Sequence, residues 1–204
     1  MNSDYEKKIS IESNALDWIE YTPFNSYIKQ FSKRQKEETS LVKINKDSIL
    51  SKKDIVNSIE IFVLEGIYTN EFGSFEKGTY LKFPKENERY VKSQEGCVVF
   101  RKINYKHNNE ELIVNTNKSQ WLQGQGNLTV IPLSEQTALV KWPKDERFIP
   151  HKHWGGEEIL VLSGTFIDEY DKYKKGCWIR SPHLSEHFPY VEEETIIFVK
   201  TGHL

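Results

Sequence analysis

The sequence predicts an all-β protein made of two similar halves, each a small barrel or sandwich. Two observations carry that reading. Residues 60–102 align without a gap on residues 158–200 at a constant shift of 98, with 13 identical pairs in 43 positions. Within each copy, short runs of apolar, aromatic and β-branched residues alternate with turn glycines at even spacing, the pattern of antiparallel strands.

The elements follow in order. Residues 1–13 are polar and read as an arm. In lobe one, Ser40-Leu41-Val42-Lys43-Ile44 is the counterpart of the strand-like runs at Leu128–Ile131 and Thr137–Trp142 in lobe two. Ile61-Phe62-Val63-Leu64 ends at a turn near Gly66, and Ile159-Leu160-Val161-Leu162 ends likewise near Gly164. Thr79-Tyr80-Leu81-Lys82-Phe83 and Cys177-Trp178-Ile179-Arg180 each follow a second turn glycine, Gly78 or Gly176. Cys97-Val98-Val99-Phe100 and Thr195-Ile196-Ile197-Phe198-Val199 close the two copies. Between them, His107-Asn108-Asn109-Glu110-Glu111 is a polar turn or linker, and Leu128–Ile131 and Thr137–Trp142 add two strands to the second half. Lobe one therefore spans about residues 14–106 and lobe two about 117–204.

Whole-chain properties narrow the function classes. The 204 residues carry a net charge of -2 and a pI near 6.3, with Lys and Arg dispersed. The densest charged run, Lys33-Arg34-Gln35-Lys36-Glu37-Glu38, neutralises itself, so no nucleic-acid partner is expected. No apolar stretch is long enough to span a bilayer, and the polar amino terminus lacks a signal-peptide core, so a cytoplasmic location without a membrane partner is expected. Cys97 and Cys177 are too few for a disulfide framework and sit in strand-like runs, which reads as buried, inert thiols.

The chemistry concentrates in lobe two. His151 and His153 are two apart, so an extended strand would aim both imidazoles at one point. Glu157 lies a further even step on, with Gly155 and Gly156 free to bend the chain between them. His187 could join from a neighbouring strand. Three imidazoles and a carboxylate suit zinc or a first-row transition metal. The shift of 98 places Lys53, Ile55, Ile59 and Arg89 at the same points of lobe one, and none is a reasonable ligand. Lobe one is expected to be metal-free.

Other residues take lesser parts. Glu158 should face away from Glu157, and its repeat partner Glu60 is kept in lobe one, which suggests a structural role. His183 is a candidate for orienting a ligand, while His107 and His203 read as surface residues. Trp154, Trp178 and Tyr190 either line a pocket mouth or pack. Arg147 and Arg180 are candidates for holding an anionic substrate.

Pro150-His151-Lys152-His153-Trp154-Gly155-Gly156-Glu157, with Gly164 beyond, resembles the first motif of the cupins. Gly176, Pro182 and His187 resemble the second. Gly-Gly-Glu-Glu after the paired histidines, and the ending Val199-Lys200-Thr201-Gly202-His203-Leu204, are similar to the ChrR-like cupins, a group that includes the cupin lobe of ChrR anti-sigma factors and relatives of acetylacetone dioxygenase. One departure is Leu184, where the second motif usually has glycine. The resemblance implies a bicupin of two tandem jelly-roll β-barrels and a homodimer. It also implies one divalent ion on His151, His153, Glu157 and His187: zinc or iron first, manganese or nickel as further candidates. Two function classes follow. One is a mononuclear metal-dependent oxygenase-type enzyme acting on a small organic molecule. The other is a non-enzymatic zinc-binding sensor.

Overall fold

The computed structural model describes residues 1–21, 25–50, 58–84, 91–104 and 110–204, the side chains of residues 49 and 50 excepted. Its principal strands are β1 (Ile9–Glu12), β2 (Ser26–Arg34), β3 (Glu37–Ile44), β4 (Ile59–Asn70), β5 (Thr79–Phe83), β6 (Cys97–Ile103) and β7 (Leu112–Asn115). There follow β8 (Thr129–Pro132), β9 (Thr137–Trp142), β10 (His151–Lys152), β11 (Glu157–Ser163), β12 (Thr165–Ile167), β13 (Lys172–Lys174), β14 (Cys177–Ser181), β15 (Glu186–His187) and β16 (Thr195–Thr201). Ser13–Ala15 forms a short 3-10 turn. No helix among the described residues is long and apolar enough to cross a membrane.

The chain divides into two compact units, Met1–Ser3 with Asp17–Ser119, and Asp4–Leu16 with Gln120–Leu204. The first contains a sheet in the order β7-β5-β4-β6-β3-β2, and the second one in the order β1-β14-β11-β16-β9-β8. All of these neighbours are antiparallel. The two orders correspond strand for strand, and the shift of 98 holds through the pairing registers. Phe62 faces Tyr80 as Leu160 faces Trp178. Even the β-bulge repeats, after Val63 in β4 and after Val161 in β11. Such a bulge adds twist where a strand leaves the sheet. Gly66 and Gly164 follow it at positive φ, and a Cβ on either would meet the facing strand's backbone at 3.0 Å or less.

The edge strands break the simple order. β1, from the polar arm, pairs with β14 of the second unit, Ile9 facing Arg180. β7, which follows the linker, pairs with β5 of the first unit, Leu112 facing Lys82. Arg180 is 98 residues from Lys82, so the two edge strands occupy equivalent positions in opposite units. Each half of the sequence lends its leading strand to the other half's sheet.

Strand alternation then sorts the side chains. In the second unit, Ile159, Val161, Cys177, Ile179 and Ile197 face a core with Trp142, Phe166 and Tyr173. In the first, Ile61, Val63, Leu81, Phe83, Cys97 and Val99 do the same with Ile28 and Val42. Both thiols are free and buried. Ile59 is a buried core residue, while Lys53, Ile55 and Arg89 lie outside the described residues. Glu157 and Ser181 face each other across β11 and β14, in line with the inward residues, so the core face ends in a polar patch.

Candidate metal centre

The site is assembled by a two-strand ribbon laid against the end of the second unit's sheet. β10 and β15 pair antiparallel with His151 opposite His187. His153 is not on a continuous strand with His151, as its even spacing would have it, because β10 ends at Lys152. It lies in a turn closed by Gly156 N–H donating to the His153 carbonyl at 3.1 Å. Gly155 and Gly156 adopt φ of 74° and 71°. A Cβ on Gly155 would sit 2.6 Å from the Gly202 Cα, and one on Gly156 would sit 2.8 Å from the Ser181 carbonyl oxygen. Only glycine fits there. The carboxyl-terminal tail clamps the turn, with Gly202 N–H on the Gly156 carbonyl and Leu204 N–H on the Gly155 carbonyl. The turn delivers His153 to the same point as the ribbon, and Glu157 opens β11 facing both.

The donor atoms converge. His187 Nε2 lies 3.2 Å from His151 Nε2 and 3.2 Å from His153 Nε2. Glu157 Oε1 is 3.3 Å from His153 Nε2, and Oε2 is 3.6 Å from His187 Nε2. Two donors on one ion, with bonds of about 2.1 Å, stand about 3.0 Å apart at a right angle and about 3.4 Å apart in a tetrahedron. These spacings match. Among the described residues, the one set of three or more His, Cys, Asp or Glu side chains close enough to share an ion is His151, His153 and His187, with ligand atoms within 4.8 Å of one another.

Protonation states fit the same use. His151 Nδ1 is 3.0 Å from the Ile149 carbonyl, which can only accept, so the proton sits on Nδ1 and the Nε2 lone pair faces the site. Burial, then the charge of His151, lowers His153 to about 4. Burial, then His151 and His153, lowers His187 to about 3. Burial raises the Glu157 carboxyl to about 8, with Lys8 opposing and Asp168 adding to the rise. The His–Glu contacts are therefore between neutral groups rather than ion pairs. Buried Glu157 Oε2 makes no hydrogen bond. Imidazole nitrogens and an orphaned carboxyl oxygen aimed at one point suit a cation, which would displace the Glu157 proton on binding. The residues fit a divalent metal ion. His187 and Glu157 are buried, while His151 and His153 are only partly so, which leaves one side of the cluster open to solvent.

The surrounding residues are sorted by position. His183 Nδ1 accepts the Gly155 N–H at 2.8 Å, and its ring meets Trp154 edge-on at 4.7 Å, so it steadies the turn that bears His153. Glu158 faces away, as its parity requires. His203, expected at the surface, has a side chain only 5% exposed, with Nε2 3.4 Å from Glu158. The tail that clamps the glycine turn carries it inward. Trp178 is fully buried and takes no part in a pocket mouth, whereas Trp154 is exposed. Arg180 is also buried; it donates to the Asp4 carbonyl at 2.8 Å and stacks on Tyr5, so it anchors the arm and does not reach the site. Arg147 lies over the Tyr190 ring.

Sequence reasoning missed Lys8 and Asp168. Lys8 Nζ is 2.5 Å from Asp168 Oδ2, whose side chain is almost wholly buried, and 3.7 Å above the Tyr170 ring. The partners are 160 residues apart in sequence, and no local pattern joins them.

Residues 6–106 and 109–204 each match the sequence model of the ChrR Cupin-like domain. No curated protein matches the chain. Among solved structures, a candidate dioxygenase from Nostoc punctiforme superimposes with a TM-score of 0.81 at 12% identity, over 96% of this chain and 82% of that one. A cupin 2 conserved barrel domain protein from Leptotrichia buccalis gives 0.65 at 14%, over 95% and 96%. A variant of oxalate decarboxylase from Bacillus subtilis gives 0.65 at 11%, over 95% and 77%. Identities this low speak for a shared fold alone.

Proposed function

Since the chain belongs to the ChrR Cupin-like domain family, in two tandem copies, we propose that it is a bicupin with one divalent metal ion, held in lobe two by His151, His153, Glu157 and His187, and that it acts as a mononuclear metal-dependent oxygenase-type enzyme on a small organic molecule. The observation that carries this reading is the convergence of three imidazoles, with His187 Nε2 3.2 Å from the Nε2 atoms of His151 and His153, on a cluster with one side open to solvent. A bound ion there would supply a Lewis acid for a substrate oxygen and a centre for activating oxygen. The chain's own contribution is to hold three imidazoles in register, to fix the His151 tautomer through Ile149, and to keep His187 and Glu157 buried. Resemblance in fold to a candidate dioxygenase and to an oxalate decarboxylase supports chemistry on a small molecule.

A second reading rests on Glu157. Its two oxygens lie 3.3 and 3.6 Å from two of the imidazoles, close enough to make a fourth ligand and close a tetrahedral zinc centre of the sensor type. Metal analysis of protein purified anaerobically, followed by oxygen uptake with β-diketones, tests both. The enzyme reading expects about one divalent ion per chain, oxygen uptake by the iron-loaded form, and loss of the ion in His151→Ala and His187→Ala. Stoichiometric zinc without uptake selects the sensor. Unchanged metal content in both variants would remove the site altogether.

A further inference from the structure

We propose that a cleft behind His187 is a second ligand pocket, built for a small zwitterion of the free amino acid class, carboxylate inward and ammonium outward. The cleft encloses about 480 Å³, within the usual range for small-molecule sites. All its walls belong to the second unit: the arm, the β12–β13 hairpin and the segment from Ser181 to His187.

Its depth is a set of donors. His187 is 5% exposed and lines the cleft. Its Nε2 points at the other two imidazoles, so the opposite edge, Nδ1, is the one left for the cleft. Nδ1 has no hydrogen-bond partner among the described residues, although a ligating histidine ordinarily donates that N–H to an acceptor. An ion held on Nε2 would leave the proton on Nδ1. Ser181, 6% exposed, also lines the cleft, and its hydroxyl lacks a partner among the described residues. Lys8 gives one N–H to Asp168 and keeps two more. Asp168 also accepts from the Tyr170 and Asp171 backbone N–H groups and the Tyr173 hydroxyl, so it holds the Lys8 ammonium at the inner wall, its charge balanced by the carboxylate and its two remaining N–H groups free to donate. An imidazole N–H, a hydroxyl and an ammonium around one space call for an acceptor with two oxygens, and a carboxylate is the match.

The rim has the opposite character. Glu6, Asp171 and Glu186 are exposed around the opening. Glu186 also faces the exposed Lys152 at 3.8 Å. A simple carboxylate would be repelled on entry, whereas an ammonium one or two bonds from the carboxylate is attracted.

The repeat shows that this polar set is not part of the shared scaffold. At the shift of 98, Ser181 corresponds to Phe83, Tyr173 to Phe75 and Asp168 to Asn70. Matching β1 to β7 through their registers makes Glu111 the counterpart of Lys8. Lobe one fills the place with buried phenyl rings. Lys8 and Ser181 therefore have no donor as counterpart in lobe one, while the counterpart of His187 is Arg89, which lies outside the described residues.

The inference rests on the metal reading in one respect, the proton on His187 Nδ1. Isothermal titration of the full-length metal-loaded protein with each of the protein amino acids tests it, using the des-amino acid and the decarboxylated amine of any binder as controls. At least one amino acid should bind one to one, with both controls at least tenfold weaker. Lys8→Met and the rim variant Asp171→Asn should each weaken binding at least tenfold at unchanged metal content, and binding should shift the His187 Nδ1 resonance. Absence of binding at millimolar concentration overturns the proposal, as does a control that binds as tightly, or an Asp171→Asn protein that folds and binds normally. Metal content is a separate measurement, so the metal reading can fail while the titration succeeds, and the reverse.

Discussion

Individual residues here are set by what surrounds them more than by type. Leu184 sits at φ 59° in the left-handed region, exposed, with its N–H on the His153 carbonyl. A leucine pays roughly 1 kcal/mol to adopt that backbone, where glycine adopts it freely. Leu184→Gly is therefore expected to leave stability intact or raise it by up to about 1 kcal/mol, after the backbone entropy that glycine loses. A melting temperature several degrees lower would show that the leucine side chain itself supports the turn. The thiols respond to burial in the opposite direction to the histidines. Burial pushes Cys97 up to about 11 and Cys177 up to about 12. In the unfolded chain they ionise near 9.0, so their burial as neutral thiols favours folding below pH 9 and loses that effect as pH rises through 11 and 12. At pH 8 a thiol reagent should label neither cysteine in the native protein and both in guanidinium; rapid native labelling would contradict this.

At the level of elements, the repeat made most of the sheet legible. A constant shift carries over the strands, their registers and the bulge, because backbone pairing depends on period-two alternation that both copies preserve. The candidate site stood out in the sequence for a different reason. His151, His153, Glu157 and His187 stand out because lobe one puts non-ligands at the same points, and the structure brings those four side chains together. What the pattern could not show is how they are brought together. The even step from His151 to His153 suggests one strand, yet the chain turns between them, and the turn depends on Gly202 and Leu204, 47 and 49 residues from Gly155. His203 reads as a tail residue and is drawn inward by the same clamp. The Lys8–Asp168 contact spans 160 residues. Such contacts depend on tertiary geometry, and a sequence read by local period contains no trace of them.

For the whole molecule, the exchanged edge strands matter most. β5 and β14 are each completed by a strand from the other half of the sequence. An uncovered edge is an aggregation hazard and a lost row of hydrogen bonds. Fragments 1–108 and 109–204, made separately, would each lack the strand that closes their sheet. They should be poorly ordered alone and regain a cooperative melt when mixed, as followed by circular dichroism; two fragments that each melt cooperatively on their own would refute this. The exchange also has a consequence in time. β1 leaves the ribosome ahead of the other described strands yet is among the last to be used, because it waits for Cys177–Ser181, about 165 residues later. At ordinary synthesis speed that is a delay of roughly ten to thirty seconds. Ile9-Ser10-Ile11 spends it without a partner, and the flanking Glu6, Lys7, Lys8 and Glu12 keep that short apolar run hydrated until its place exists.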